Sequence, residues 1–192
     1  MRFMGLEFQM HPEVYEPAED SMLLADNLGV WGGDLVLDMG TGTGFLALLA
    51  AIKAKKVLGV DVNPVAIDVA RENALLNNIE NAEFRVSDLF SDLEGEVFDL
   101  IIFNPPYLPV DEMDMLDRSW SGGSKGLEVI KRFLKSAPDY LKEGGGIRLL
   151  VSSLNDLDEL RKILNENNFG FEILAKKKLW FEEIYVIKAV KR

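Results

Sequence analysis

Cysteine is absent from the 192 residues, and histidine occurs once, at His11. The first absence excludes a disulfide framework and a thiolate metal site. The second leaves nothing to complete an imidazole site, so His11 reads as a solvated loop residue and no metal is expected. Positive charge is also scarce: 21 Lys and Arg stand against 32 Asp and Glu, a net charge of −11. Unaided binding to a phosphate backbone needs clustered cations, so direct nucleic-acid binding is disfavoured. No apolar run approaches the roughly 20 residues of a membrane span. The opening Met1–Glu7 has neither a long apolar core nor a small-residue cleavage site, so no signal peptide is read. The cytoplasm is the expected compartment.

What is present fits a soluble α/β protein. Hydrophobic residues make up 48% and charged residues 28%, a balance that disordered chains do not have. With no repeat, low-complexity stretch or linker, residues 1–192 are expected to form one domain, with 1–16 as an extended arm. Pro17-Ala18-Glu19-Asp20-Ser21 reads as a helix start with Pro17 first and two acids at the positive end of the dipole. The runs 35–38, 56–60, 82–86, 98–103 and 147–152 read as strands, and 45–54, 64–76, 127–141 and 155–168 as helices between them. Asn63 and Asn155 are the expected caps of two of these helices. Pro138 should break the helix before it, and Gly144-Gly145-Gly146 should turn into the next strand. Two final runs, 169–179 and 183–190, read as an antiparallel pair. Strands alternating with helices predict a doubly wound, mostly parallel sheet.

Met39-Gly40-Thr41-Gly42-Thr43-Gly44 is a glycine-rich turn between a strand and a helix. Such a turn can seat a pyrophosphate at a helix N-terminus. Here Asp38 precedes it, and a carboxylate in that space repels a pyrophosphate and favours a cationic ligand. Asp61 ends the second strand, where an acid accepts from ribose hydroxyls or caps the following helix. Ser87-Asp88-Leu89 ends the third. Asp88 can accept from the amine of adenine and the Leu89 N–H can meet a ring nitrogen, or Leu89 and Phe90 are core. Asp20 and Ser21 either match the dipole or face the same ligand.

The fourth strand delivers Asn104-Pro105-Pro106-Tyr107. Asn104 precedes a proline and is driven toward an extended backbone. Pro105 and Pro106 have fixed φ and no N–H. The turn is stiff and rich in acceptors: the Asn104 side-chain oxygen and the carbonyls of Asn104 and Pro105. Tyr107 adds a flat ring with a polar tip. This can grip a planar group bearing –NH2; the plainer reading is a rigid turn. Residues 108–126 form a long loop whose acids either keep it solvated or meet a basic macromolecule.

Together these segments resemble the class I S-adenosylmethionine-dependent methyltransferases. The resemblance covers residues 14–190. It implies a single Rossmann-like seven-stranded sheet of order 3-2-1-4-5-7-6 with strand 7 antiparallel. By it, Asp38 and Gly40 approach the amino-acid part of the cofactor, Asp61 the ribose, and Asp88 and Leu89 the adenine. Tyr15, Pro17, Asp20, Ser21, Gly42, Gly44, Val62 and Asn104 complete the implied cofactor set. Asn104, Pro105, Pro106 and Tyr107 are the implied catalytic residues, acting on a planar nitrogen.

Two further segments resemble the archaeal and eukaryotic HemK-type glutamine N5-methyltransferases: Val14-Tyr15-Glu16-Pro17-Ala18-Glu19-Asp20-Ser21, and the substrate-loop stretch Trp120-Ser121-Gly122-Gly123-Ser124-Lys125-Gly126. Those enzymes methylate the Gly-Gly-Gln glutamine of class 1 peptide-release factors and leave S-adenosylhomocysteine. The resemblance also implies a small zinc-binding activator as a heterodimer partner, pairing with the strand-3 edge around Phe84–Val86. Rival acceptors are the amino groups of adenine or cytosine in DNA or RNA, and protein lysine. A non-enzymatic cofactor scaffold is the remaining rival. With no histidine or cysteine near the acceptor turn, neither a covalent intermediate nor a histidine base is expected.

Overall fold

The computed structural model describes residues 1–106 and 127–192. Seven strands form one sheet: β1 Leu35–Met39, β2 Lys56–Asp61, β3 Ala82–Val86, β4 Phe98–Phe103, β5 Leu141–Ser152, β6 Phe169–Lys178 and β7 Glu183–Lys191. Their spatial order is β3-β2-β1-β4-β5-β7-β6. The strands pair in parallel except β7, which runs antiparallel to both β5 and β6. Order and direction are those implied by the resemblance.

The central strands are continuously apolar because both faces are covered. Leu37, Met39, Leu58, Val60, Ile101 and Phe103 pack under α4 (Glu128–Ser136) and α5 (Leu157–Glu166). The alternate residues Val36, Val57, Leu100 and Ile102 pack under α1 (Glu19–Ala25), α2 (Phe45–Ala51) and α3 (Pro64–Leu76). The period-two alternation of a strand divides one apolar run between two cores.

Several local readings change. The arm is not simply extended: Arg2–Phe3 pairs with Leu6–Glu7 in a short antiparallel ladder. Beyond it, Asn73 of α3 and the helix's C-cap Asn77 each donate to and accept from the arm's backbone, at Gln9 and Glu7 respectively. Pro17 precedes the helix; Ala18 is the cap and Glu19 the first helical residue. Asn63 does cap α3, accepting from the Val65 N–H. Asn155 does not cap α5. Its side-chain oxygen turns back to the Ser152 N–H, and Asp156 takes the capping place by accepting from Glu159. The helix before Pro138 ends at Ser136 and passes into a 3-10 turn, Ala137–Tyr140. Gly144–Gly146 is not a turn before β5. The strand begins at Leu141, and the glycines lie in it where the pairing register with β4 shifts. A Cβ at Gly145 would sit 3.0 Å from the carbonyl oxygens of Lys142 and Phe98, so only glycine lets the bulged strand close there.

Candidate active site

The sheet order reverses between β1 and β4, and ligands of open α/β sheets bind at such switch points beyond the strands' carboxyl ends. A cavity of about 330 Å³ lies there. Among the described residues its wall includes Tyr15, Pro17, Asp20, Ser21, Gly40, Gly42, Asp61, Val62, Asp88, Leu89, Asn104, Pro105 and Pro106. These come from separate stretches of sequence, brought together by the fold. Tyr107, the loop after it and Trp120–Gly126 lie outside the described residues.

Asp38 and Gly44 are not on the cavity's wall. Asp38 is 1% exposed and turns beneath the glycine loop. Its Oδ2 accepts from the Thr41 hydroxyl at 2.7 Å and from the Ala47 N–H at 3.1 Å. Burial pushes its pKa up to about 7, against the pull of these two bonds, and the nearby Asp61 charge adds to the rise. The carboxylate therefore fixes the loop's shape from behind. Gly44 has φ +78°, and a Cβ there would lie 3.1 Å from that of Ala70. Its lack of a side chain seats α2 against α3.

Asp61 does face the cavity. Its two oxygens accept from the Gly42 and Asn63 N–H groups, both at 2.9 Å. A carboxylate has about four lone-pair sites, so capacity remains for a hydroxyl donor. Burial again raises its pKa. Asp88 is half-exposed and paired with Arg132 of α4 at 2.7 Å. Leu89 holds φ +52°, unusual for a residue with a branched side chain.

At the end of β4, the Asn104 amide is fixed by α1. Its Nδ2 donates to Asp20 Oδ2 at 3.1 Å and to Ser21 Oγ at 3.2 Å. Asp20 is 3% exposed. Its other oxygen accepts from the Tyr15 hydroxyl at 2.9 Å and from the Ser21 N–H. A carboxylate only accepts, so the nitrogen of Asn104 must face Asp20 and the oxygen must face away. That oxygen is buried and has no hydrogen-bond partner among the described residues. Thr43 Oγ1, on the same cavity, is orphaned in the same way. Native structures rarely leave such atoms unpaired unless something else satisfies them.

Sequence reasoning missed three residues. Thr43 lay inside the glycine loop but carried no signal of its own. Arg132 lines the cavity from a helix whose pattern reads only as amphipathic. Gly59 lies mid-strand, where a Cβ would sit 2.6 Å from the Phe84 ring and 2.7 Å from Thr41 Oγ1. A glycine inside a strand was the available signal for that close approach.

The sequence model of the methyltransferase small domain family matches residues 6–181. A Methanocaldococcus jannaschii protein, provisionally named a protein N5-glutamine methyltransferase, is 46% identical over 190 residues, spanning 96% of this chain and 95% of its own. A Fusobacterium nucleatum release factor glutamine methyltransferase is 33% identical over 190 residues, spanning 91% of this chain but 53% of its own length. Among solved structures, the E. cuniculi Mtq2–Trm112 complex, described as responsible for methylation of the translation termination factor eRF1, matches with a TM-score of 0.75 and 32% identity. That match covers 93% of this chain and 99% of the other. The chain belongs to the methyltransferase small domain family.

Proposed function

From this family membership, we propose that the chain transfers a methyl group from S-adenosylmethionine to the side-chain amide nitrogen of the Gly-Gly-Gln glutamine in a class 1 peptide-release factor. The observation that carries the reading is the orphaned Asn104 Oδ1 on the cavity's wall. It is an acceptor held ready for an N–H that the described residues do not supply. The names of the relatives point to the same acceptor chemistry.

The wall suits the proposed cofactor. Glu13, Asp20, Asp61 and Asp88 line it, with Arg132 as the one cation among the described lining residues. Such a cavity favours a cationic ligand and rejects a pyrophosphate. Asp61 would hold the ribose hydroxyls, Asp88 and the Leu89 N–H the adenine, and the Gly40–Gly42 backbone the amino-acid part. When bound, S-adenosylmethionine supplies an electrophilic methyl group on a sulfonium.

The glutamine nitrogen is a poor nucleophile because its lone pair is delocalised; the rotation barrier of about 18–20 kcal/mol measures that delocalisation. Asn104 Oδ1 and the Pro105 carbonyl accept the two N–H bonds and hold the amide against the wall. The buried Asp20 carboxylate polarises the Asn104 amide through Nδ2, which makes Oδ1 a stronger acceptor. Orientation supplies much of the rate. His11 is not on the wall, so the proton leaves to solvent.

The small partner subunit would pair with β3, which among the described residues has a neighbour on one side only. Arg71 already takes the Phe84 carbonyl, so pairing would use the remaining edge groups. The net charge of −11 and the acidic wall disfavour the amino groups of nucleic acid as acceptors. The cytoplasm is the proposed compartment; among the described residues no helix is long and apolar enough to cross a membrane.

The deciding experiment is mass spectrometry of a class 1 release factor after reaction, with and without the partner subunit. Fragment spectra should place one methyl group on the glutamine. Asn104→Ala should lower transfer by about two to three orders of magnitude, as loss of a preorganised hydrogen-bonding group does, while cofactor affinity holds. Methylated nucleic acid with an unmodified release factor would overturn the reading.

A further inference from the structure

The turn joining β6 to β7 is closed by the Leu179 N–H donating to the Glu182 carbonyl at 2.8 Å, with Trp180 and Phe181 at its tip. Two-residue hairpin tips favour Asn-Gly and similar pairs for their backbone freedom. Two large aromatics do nothing for the turn. They do not pack on the body either: Trp180 is 95% exposed and Phe181 91%. Together they present on the order of 300–450 Å² of ring surface, the size of the largest apolar patch on a typical monomer, which is often functional.

The tip is anchored. Lys177 pairs with Glu19 of α1, Glu182 accepts from the Ser152 hydroxyl, and the Glu183 N–H donates to Ser153 Oγ. Its position follows from the register. Phe103 of β4 lies beside Leu149 of β5, and Ser152 beside Ile184 of β7. The tip therefore projects past the level of Asn104–Pro106, at the end of the sheet where the cavity lies. Two and three strand spacings separate β7 and β6 from β4, about 10–15 Å. Leu154, 46% exposed, lies at the same end just past β5. Glu19 of the Lys177 pair adjoins Asp20, which holds Asn104.

We propose that Trp180 and Phe181 dock the folded body of the protein substrate beside the glutamine it presents at Asn104. This rests on the reading of the acceptor as a protein glutamine. Exposed Trp is the residue type most enriched at binding hot spots. β3 and β6 are opposite edges of the sheet, so the tip stands apart from the proposed partner edge. The acid excess of the chain makes an anionic lipid surface the poorer occupant.

The experiment uses the full chain with its partner subunit and compares wild type with Trp180→Ala/Phe181→Ala. Both side chains are exposed, so the fold should hold, and circular dichroism with cofactor affinity checks that. For the intact release factor, KM should rise about tenfold or more with kcat retained. A short Gly-Gly-Gln peptide, too small to reach the tip, should be methylated equally by both. An unchanged KM for the intact protein overturns the proposal. So does loss of partner-subunit binding in the variant, or binding of wild type but not variant to phosphatidylglycerol vesicles. If wild type methylates the peptide but no release factor, the docking proposal falls while the amide acceptor stands. If it methylates neither, the acceptor reading falls first and takes this one with it.

Discussion

On one wall of the cavity, between α1 and the end of β4, the polar groups direct one another around the buried Asp20 and Ser21, with Asn104 half-buried and Tyr15 37% exposed. Tyr15 and Ser21 donate to Asp20, Asp20 orients Asn104, and among the described residues the Asn104 oxygen is left without a donor. On the facing wall, between β3 and α4, the charged groups are half-exposed and paired in water: Asp88 with Arg132, both more than half accessible. The first wall holds its atoms because leaving them unpaired in a low-dielectric site is costly. The second holds an ion pair that solvent can replace at little cost. Chemistry that depends on angle belongs on the first, and recognition that tolerates adjustment belongs on the second.

Asp20→Asn should break that contrast most severely. The new amide can keep the Tyr15 and Ser21 bonds with its oxygen, which places its nitrogen against Asn104 Nδ2. Two donors then face each other across the present 3.1 Å, and the Asn104 amide turns over. Its oxygen leaves the cavity. Losing a charge-assisted bond of about 1.5–3 kcal/mol lowers methyl transfer by about 10- to 100-fold, with cofactor affinity nearly unchanged. Equal losses in transfer and cofactor binding would mean that the residue acts on the cofactor instead.

A smaller effect is expected behind the glycine loop. Asp38 has a folded-state pKa raised to about 7 from 3.8. A carboxyl raised in this way binds its proton more tightly in the folded chain than in the unfolded one. Its contribution to stability is complete below the unfolded pKa and is lost as pH climbs through about 7. Urea midpoints of the wild type should therefore fall relative to Asp38→Asn between about pH 4 and pH 8. A constant difference across that range would show that the burial does not govern the proton.

Arg132→Gln should have the least effect. Exposed pairs contribute about 1 kcal/mol at most, so thermal stability should barely move. Removing the single described cation from an acidic wall should tighten binding of the cationic cofactor about two- to threefold at low salt, by the same small electrostatic energy. Calorimetry at two salt concentrations measures it. Weaker binding would mean that Arg132 holds Asp88 in place, and the two walls would be less different than they look.

The sheet was legible in sequence because its buried strands are short apolar runs, and three of them stop at a conspicuous polar residue, Asp38, Asp61 or Asn104. The order of those strands came from the resemblance and from the handedness of crossovers. Helix α5's cap was misread because Asn155 and Asp156 are both good capping residues, and only the turn after β5 decides that Asn155 is spent on Ser152. The placement of Asp38 beneath the glycine loop was not legible for a related reason. The polar residue near a strand's end can face the ligand or the loop, and it is tertiary contact that gives one oxygen of Asp38 to Thr41 and Ala47. Nor does spacing along the chain show that Asp20 positions Asn104, since the two meet only through tertiary packing.

Asp20 and Asn104 stand 84 positions apart in the chain. Closing so long a loop costs entropy that local structure alone does not recover. Their bond needs β1 and β4 paired and α1 laid over them. A chain still emerging from a ribosome therefore has no working acceptor until residue 104 is out and the intervening segments are in place. Forms in which these segments are not yet assembled should therefore be catalytically silent.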